Sequence, residues 1–537
     1  MSEKTANNDY LNINKFYDYA LYAILLLAII LGLFGLNKGL WCDEILSIIK
    51  ILYPNISEMF ERLRTDVHPP LYYVLFYFWG QISKQEEFLR LFSLVFSVAT
   101  LLVVIRWIKQ YSSLGSLLAG LYLATSPIML RYSQELKGYS LILFATSLAF
   151  LFASHIISEP QKYLGYIGLS LSLTVAVSTH LVGIMLIIPI LGFIAIQAFI
   201  SQGKIDLLKF NLLKKITFKL KLAIAIIIPV ITFIYLKFFW LNQVQKIQNT
   251  WWWMPPPDLY LISSTAKYLF GLSSLYLPIN FIPWFALIFS ATLATSLFFG
   301  KGRISFPFLV AAVIFWLEIL IYSILESPIF YYRIILPGLI PFAAFIGLQI
   351  ATIPNKKIKI VSIVCLIILS MSYSLNWITN QAYKPVEENR AVAKLVRSEW
   401  QSNDLVISYP GWYQEIVNYY LNNIPSEKQI TVWQPENISN FNFNTKELEI
   451  FCVALTGNIE EYKILLSNIL DRIKSQSLTS LKFNLLLIKS HNSYFSKEFD
   501  GSEKFLATSE SKLGKSYFYQ DFDLYAISKY MLDLKNF

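Results

Sequence analysis

Runs of about twenty consecutive apolar residues, the length that crosses a bilayer as α-helix, recur along roughly the first 380 residues of the chain. Nothing else in it constrains the fold as strongly. Hydrocarbon offers no water to a backbone, so each N–H and C=O must be paired inside its own helix or inside a closed barrel. The runs lack the strict alternation of a barrel strand, and a helical bundle follows. Composition agrees: 15% of the residues are charged and the mean hydropathy is +0.50, against about one quarter charged in an ordinary soluble domain.

The first run, YALYAILLLAIILGLFGL, is too long for a signal-peptide core, lacks a small-residue cleavage pattern and precedes many more, so it reads as a retained anchor. About eleven spans are expected, near 18–38, 88–108, 113–129, 139–158, 163–179, 181–200, 221–240, 279–299, 305–325, 330–350 and 358–378. The net charge of +10 sits in short clusters between spans, as the positive-inside rule requires of cytoplasmic loops, and nucleic acid is not an expected partner. If the short apolar stretch after His68 does not cross, the clusters Arg106/Lys109, Lys162, Lys204 to Lys221, Lys301/Arg303 and Lys356/Lys357/Lys359 all fall on one side. The amino-terminal segment 1–17 is then cytoplasmic, and the opposite face carries the first outer loop, 39–87, and the carboxyl terminus.

Composition changes after residue 383. RAVAKLVRSEW has the spacing of an amphipathic helix, NDLVISYP that of a buried strand and QEIVNYYLNN that of a second helix. Residues 384–537 are therefore expected to form a small extracytoplasmic α/β domain, with 18–383 as the transmembrane domain. The three cysteines, Cys42, Cys365 and Cys452, show no metal-ligand spacing.

Ionisable residues beside hydrocarbon are costly and usually functional, and they gather at the inferred outer face. Asp43 and Glu44 follow the first span; a solvated helix end is the plain alternative to a site. Neighbouring residues diverge by about 100° on a helix, so the two carboxylates cannot address one atom. His68 stands in a rigid His-Pro-Pro corner. Arg131, Tyr132, Gln134, Glu135, Lys137 and Tyr139 fall within nine residues between two apolar runs, where snorkelling explains one cation but not the set. Cations with tyrosine hydroxyls suit a phosphate, and Tyr331, Tyr332 and Arg333 repeat the combination. His180 sits at a break between spans, as a site residue or a buried histidine. The WWWMPPP run reads as an interfacial belt or as a wall for a sugar or lipid tail.

Taken in series, WCDE after the first span, DVHPPLYY, the arginine of EEFLRLFSLVFS, SP…RYSQELKGY, STH and YYRIILPGLIP resemble, in that order, glycosyltransferase family 39 and its wider group, the protein mannosyltransferases and the aminoarabinose transferases of lipid A. The resemblance covers about residues 18–380. It implies a C-type membrane glycosyltransferase of the bacterial plasma membrane that moves one sugar from a polyprenyl-phosphate donor to an acceptor hydroxyl of a protein, lipid or glycan, outside the cytoplasm and with inversion. By matching positions it implies Asp43 as general base with Glu44 beside it. His68, Arg90, Arg131, Lys137, Tyr139, His180, Tyr332 and Arg333 then bind the donor phosphate or shape the cavity.

One position departs from the pattern, since lysine at 137 replaces the arginine of Gln-Glu-Ala-Arg-x-Tyr, and lysine cannot offer a bidentate fork. No cofactor is required by this scheme. A divalent metal at Asp43/Glu44 stays open, although no second acidic cluster lies near them in sequence. Rival readings are transfer of a whole oligosaccharide or polymer from a lipid diphosphate, and sugar-lipid transport. Transport calls for charges at mid-span, where Glu318 is the main example.

Overall fold

A computed structural model of the chain describes residues 3–52, 55–64, 66–200, 212–240, 254–272, 304–385, 389–399 and 419–420, together with the backbone of strands between 405 and 533. It divides into two compact units, one of residues 1–37 and 50–384, the other of residues 38–49 and 385–537. In chain order the helices are α1 (Glu3–Leu33), α2 (Cys42–Ile51), α3 (Ile56–Leu63), α4 (Leu71–Gly80), α5 (Glu86–Lys109), α6 (Ser113–Thr125), α7 (Pro127–Tyr132), α8 (Tyr139–Ser158) and α9 (Tyr163–Thr179). They continue with α10 (Ile187–Ile200), α11 (Leu212–Tyr235), α12 (Leu259–Leu269), α13 (Phe306–Leu325), α14 (Leu339–Thr352), α15 (Lys356–Asn376) and α16 (Asn389–Glu399).

The first unit is the helical one. Among the described residues, seven helical stretches are long and apolar enough to cross a membrane: Lys15–Leu33, Glu86–Lys109, Tyr139–Ser158, Leu181–Ile200, Ile216–Phe238, Phe306–Leu325 and Lys356–Gln381. The spans expected near 113–129, 163–179 and 330–350 correspond to shorter apolar helices, Ser113–Thr125, Tyr163–Thr179 and Leu336–Thr352. The first ends early because Ser126 leaves helical geometry and Pro127 opens a new helix, α7, at the position where proline has no hydrogen bond to lose. The span expected near 279–299 and the tryptophans 251–253 lie outside the described residues.

Apolar side chains point outward as well as inward. On α11, Ile216, Leu220, Ile224, Ile227 and Ile231 are exposed along one stripe. Such a surface would associate in water and is at home against lipid chains. Inside, Trp107 of α5 is fully buried, stacks on Phe150 of α8 at 5.5 Å and meets Phe308 of α13 at 5.3 Å and Phe193 of α10 at 6.3 Å between ring centroids. Its indole N–H donates to Ser154 Oγ at 2.7 Å, so its one polar atom is satisfied. Helices α6 and α14 approach through glycines: a Cβ on Gly347 would lie 2.2 Å from the Gly115 carbonyl oxygen and 2.7 Å from Ala119 N. Small residues at such crossings replace the hydrophobic driving force that lipid removes.

The second unit includes 38–49, a stretch read from the sequence as part of an outer loop of the membrane domain. Leu40 is fully buried; its N–H donates to the Tyr420 hydroxyl at 2.6 Å and its carbonyl accepts from Asn389 Nδ2 at 3.2 Å. The expected amphipathic helix is α16. The expected strand is β1 (Leu405–Tyr409), which joins β2 (Ile430–Trp433), β3 (Leu448–Cys452), β4 (Lys482–Ser490), β5 (Phe518–Asp521) and β6 (Tyr525–Asp533) in the order β2-β3-β1-β4-β6-β5. The first four in that order are mutually parallel, and β6 pairs antiparallel with both β4 and β5. The helix expected within QEIVNYYLNN is described only at Tyr419 and Tyr420.

Candidate active site

The turn between α7 and α8 carries the densest polar sequence and is pinned from several sides. Gln134 Nε2 donates to the carbonyls of Gly32 at 2.9 Å and Phe34 at 2.6 Å. Ser93 Oγ of α5 donates to the Glu135 carbonyl at 2.6 Å, and the Lys137 N–H returns to that carbonyl at 2.9 Å. Gly138 then passes so close to α9 that a Cβ there would meet Thr179 Cγ2 at 2.8 Å, which accounts for glycine between Lys137 and Tyr139.

The result is a small cavity lined by His68, Tyr72, Tyr73, Lys137, Gly138, Tyr139, Thr179 and His180. Lys137 is 4% exposed, a position where an ammonium is stable only beside groups that solvate it. His180 caps the end of α9 with extended φ −153° and ψ 132°. Its Nδ1 accepts from Val182 N at 3.2 Å, so the ring proton sits on Nε2. Burial, and then the positive charges of His68, Arg333 and Lys137, push its pKa down to about 3. His180 is therefore a neutral N–H donor amid three groups that are or become cations.

His68 comes from the corner before α4. Its backbone N–H and its Nδ1 both bond Asp66 Oδ1, at 3.0 and 2.9 Å, and its ring lies 5.7 Å from that of His180. The other oxygen of Asp66 pairs with Lys50 Nζ, which also lies 4.8 Å from the Tyr73 ring centre. Neither Asp66 nor Lys50 was singled out from the sequence, nor were Tyr72, Tyr73 and Thr179. The local pattern Asp-x-His-Pro was a usable signal for Asp66, because an aspartate commonly accepts the N–H two residues on in an Asx turn.

Further tyrosines and cations extend the polar face. Tyr132 and Tyr139 meet at 4.7 Å and Tyr139 lies 6.4 Å from His180. Arg333 lies 5.6 Å from the ring of Tyr331, Arg131 lies 5.8 Å from that of Tyr332, and Tyr332 stacks on Tyr268 at 5.0 Å. Arg131 Nε also faces Glu135 Oε2 at 3.8 Å. Arg90 is not among the lining residues: fully buried, it donates to the Leu36 carbonyl at 2.6 Å.

Asp43 and Glu44 belong to the second unit and open α2. There the two carboxylates separate. Glu44 is 2% exposed and accepts from Trp41 N at 3.3 Å, reaching back from the third helical position as in a capping box. Asp43 is half-buried, and its carbonyl accepts from Ser47 Oγ at 2.8 Å. Among the described residues no three of His, Cys, Asp and Glu gather as metal ligands do.

Solved structures with this architecture include two of one protein. ArnT from Cupriavidus metallidurans bound to undecaprenyl phosphate matches with a TM-score of 0.54 and 12% identity, over 95% of this chain and 97% of its own. The same protein in the apo state matches with a TM-score of 0.56 and 12% identity, over 96% and 98%. The fold is that of the C-type membrane glycosyltransferases. At this identity the likeness extends to the fold, and it reaches the C-type class without singling out family 39 within it. The chain is an integral membrane protein by that fold and by the seven long apolar helices among its described residues. No family model and no curated protein matches it.

Proposed function

We propose that the protein is a glycosyltransferase that moves a single sugar from a polyprenyl-phosphate donor to an acceptor hydroxyl of a protein, lipid or glycan on the extracytoplasmic side of a bacterial plasma membrane. The observation that carries this reading is the small cavity where Lys137, His68 and His180 meet among tyrosines, with the charge of Arg333 felt at His180. The fold it sits in is shared with a protein crystallised with undecaprenyl phosphate.

The chemistry follows from the groups. A phosphate leaving its sugar takes the electron pair of the broken C–O bond, and fixed cations and N–H donors stabilise the charge that develops there. Lys137, Arg333, the His180 Nε2–H and His68 are suited to that task, with Tyr139 beside them. Arg131 and Tyr332 extend the same cationic and aromatic face, and Arg90 holds the first helix's exit through Leu36. An acceptor hydroxyl is a weak nucleophile at neutral pH, so a carboxylate takes its proton as the new bond forms on the opposite face of the anomeric carbon. Asp43 is the base in this scheme, and Glu44 keeps the helix end in shape.

The test is direct. Purified protein supplied with radiolabelled polyprenyl-phosphate sugars is expected to label an acceptor and release polyprenyl phosphate. Asp43→Asn is expected to lower that rate by about 10²–10⁴-fold, the usual contribution of a general base, while donor binding is kept. Undiminished transfer by the variant would remove Asp43 from the role.

A further inference from the structure

The corner that carries His68 is built on a second aspartate with its own anchor. Asp66 divides its two oxygens: Oδ1 takes the His68 N–H at 3.0 Å and the ring Nδ1 at 2.9 Å, and Oδ2 takes Lys50 Nζ. The Asp66 side chain is 6% exposed and that of Lys50 15%, so both charges are largely removed from water. A buried carboxylate is retained only when its oxygens are paired, and here one partner is the imidazole at the cavity. An ionised carboxylate only accepts hydrogen bonds, which places a proton on His68 Nδ1 and leaves Nε2 as the nitrogen with which the ring can address a ligand. Pro69 and Pro70 follow at once and fix the backbone φ on that side. The ring is thus held from its backbone, its Nδ1 and the proline pair.

We propose that Asp66, held by Lys50, is a positioning residue that fixes the tautomer and orientation of His68 and keeps its Nε2 aimed at the phosphate of the donor. This rests on the donor reading above. Lys50 completes the device: besides Asp66 it reaches the Tyr73 hydroxyl at 3.4 Å, and Tyr73 lines the same cavity. One ammonium therefore ties the support of the histidine to the cavity wall. Without the carboxylate the imidazole can take either tautomer and turn about its side-chain bonds, so that it no longer presents one fixed atom to the phosphate. With the carboxylate holding the Nδ1–H, Nε2 is the ring atom that the geometry assigns to the anion.

The experiment uses the full-length protein in lipid nanodiscs, with undecaprenyl phosphate as the probe and its dissociation constant as the readout. Asp66→Asn is expected to weaken binding roughly tenfold, in the range of coupling between contacting residues, and Asp66→Glu to recover most of the loss. His68→Gln is expected to weaken binding by a similar factor, and Asp66→Asn added to it to cost little more, because the aspartate acts through the histidine. Lys50→Met is expected to weaken binding in the wild-type background and not in the Asp66→Asn background. A wild-type protein that binds the probe together with an Asp66→Asn variant of unchanged affinity would overturn the positioning role alone. Additive losses in the double variant, or a Glu variant no better than Asn, would overturn it too, by showing a general structural effect. A wild-type protein with no affinity for the probe would overturn the donor reading and this inference with it.

Discussion

A single imidazole shows how placement sets chemistry. His180 accepts the Val182 N–H at Nδ1, and burial together with the charges of His68, Arg333 and Lys137 pushes its pKa down to about 3. In an unfolded chain a histidine titrates near about 6.5. Between those values the folded protein binds fewer protons at this site than the unfolded one, so stability falls as pH falls through that window. His180→Gln is therefore expected to flatten the acid side of a plot of melting temperature against pH in detergent. An unchanged slope would mean that another group causes the acid sensitivity. The same environment explains why a lone histidine at a span break is ambiguous in sequence: its capping bond is local, whereas the cations that depress its pKa arrive from distant segments.

At the scale of elements, the α6–α14 crossing is the most demanding contact. Gly347→Ala brings a methyl group within 2.2 Å of one backbone atom and 2.7 Å of another, and backbone cannot swing aside. Overpacking of this kind costs about 1–3 kcal/mol, while alanine in place of glycine gains only about 0.5–1 kcal/mol of helix propensity. The loss wins, and a lower melting temperature is expected. Gly192→Ala on α10 is the control, because the new methyl meets only the end of the Ile314 side chain at 3.2 Å. Equal stability of the two variants would show that the helices can slide apart freely. Helix breaks follow similar local rules: Ser126-Pro127 divides an apolar run that hydropathy alone joins, and the cap at His180 falls at the break read from the sequence.

For the whole molecule the open quantity is sidedness. On the sequence reading of about eleven crossings with the lysine-rich loops in the cytoplasm, we propose that the amino and carboxyl termini lie on opposite sides. A single cysteine placed after Phe537, in a chain otherwise lacking cysteine, is expected to react with an impermeant maleimide added outside intact cells. Labelling only after the cells are opened would reverse the assignment and, with it, the side on which transfer takes place.

Local physics made much of the protein legible beforehand. The apolar periods foretold a helical bundle, and LVISY was readable as a strand because apolar and β-branched residues occur there without a helical spacing. The clustering of Lys137, Tyr139 and His180 with His68 was inferable from span counting, since helix ends on one face must lie at one depth. Other features waited for tertiary structure. Only packing shows that Lys38–Ile49 folds with the carboxyl-terminal unit, that Glu44 turns back to cap its own helix, and that Lys50 reaches Asp66 behind His68. The reason is physical: periodicity and capping depend on neighbours three or four residues away, whereas the rotation of a helix and the reach of a lysine across sixteen residues are set by every contact around them.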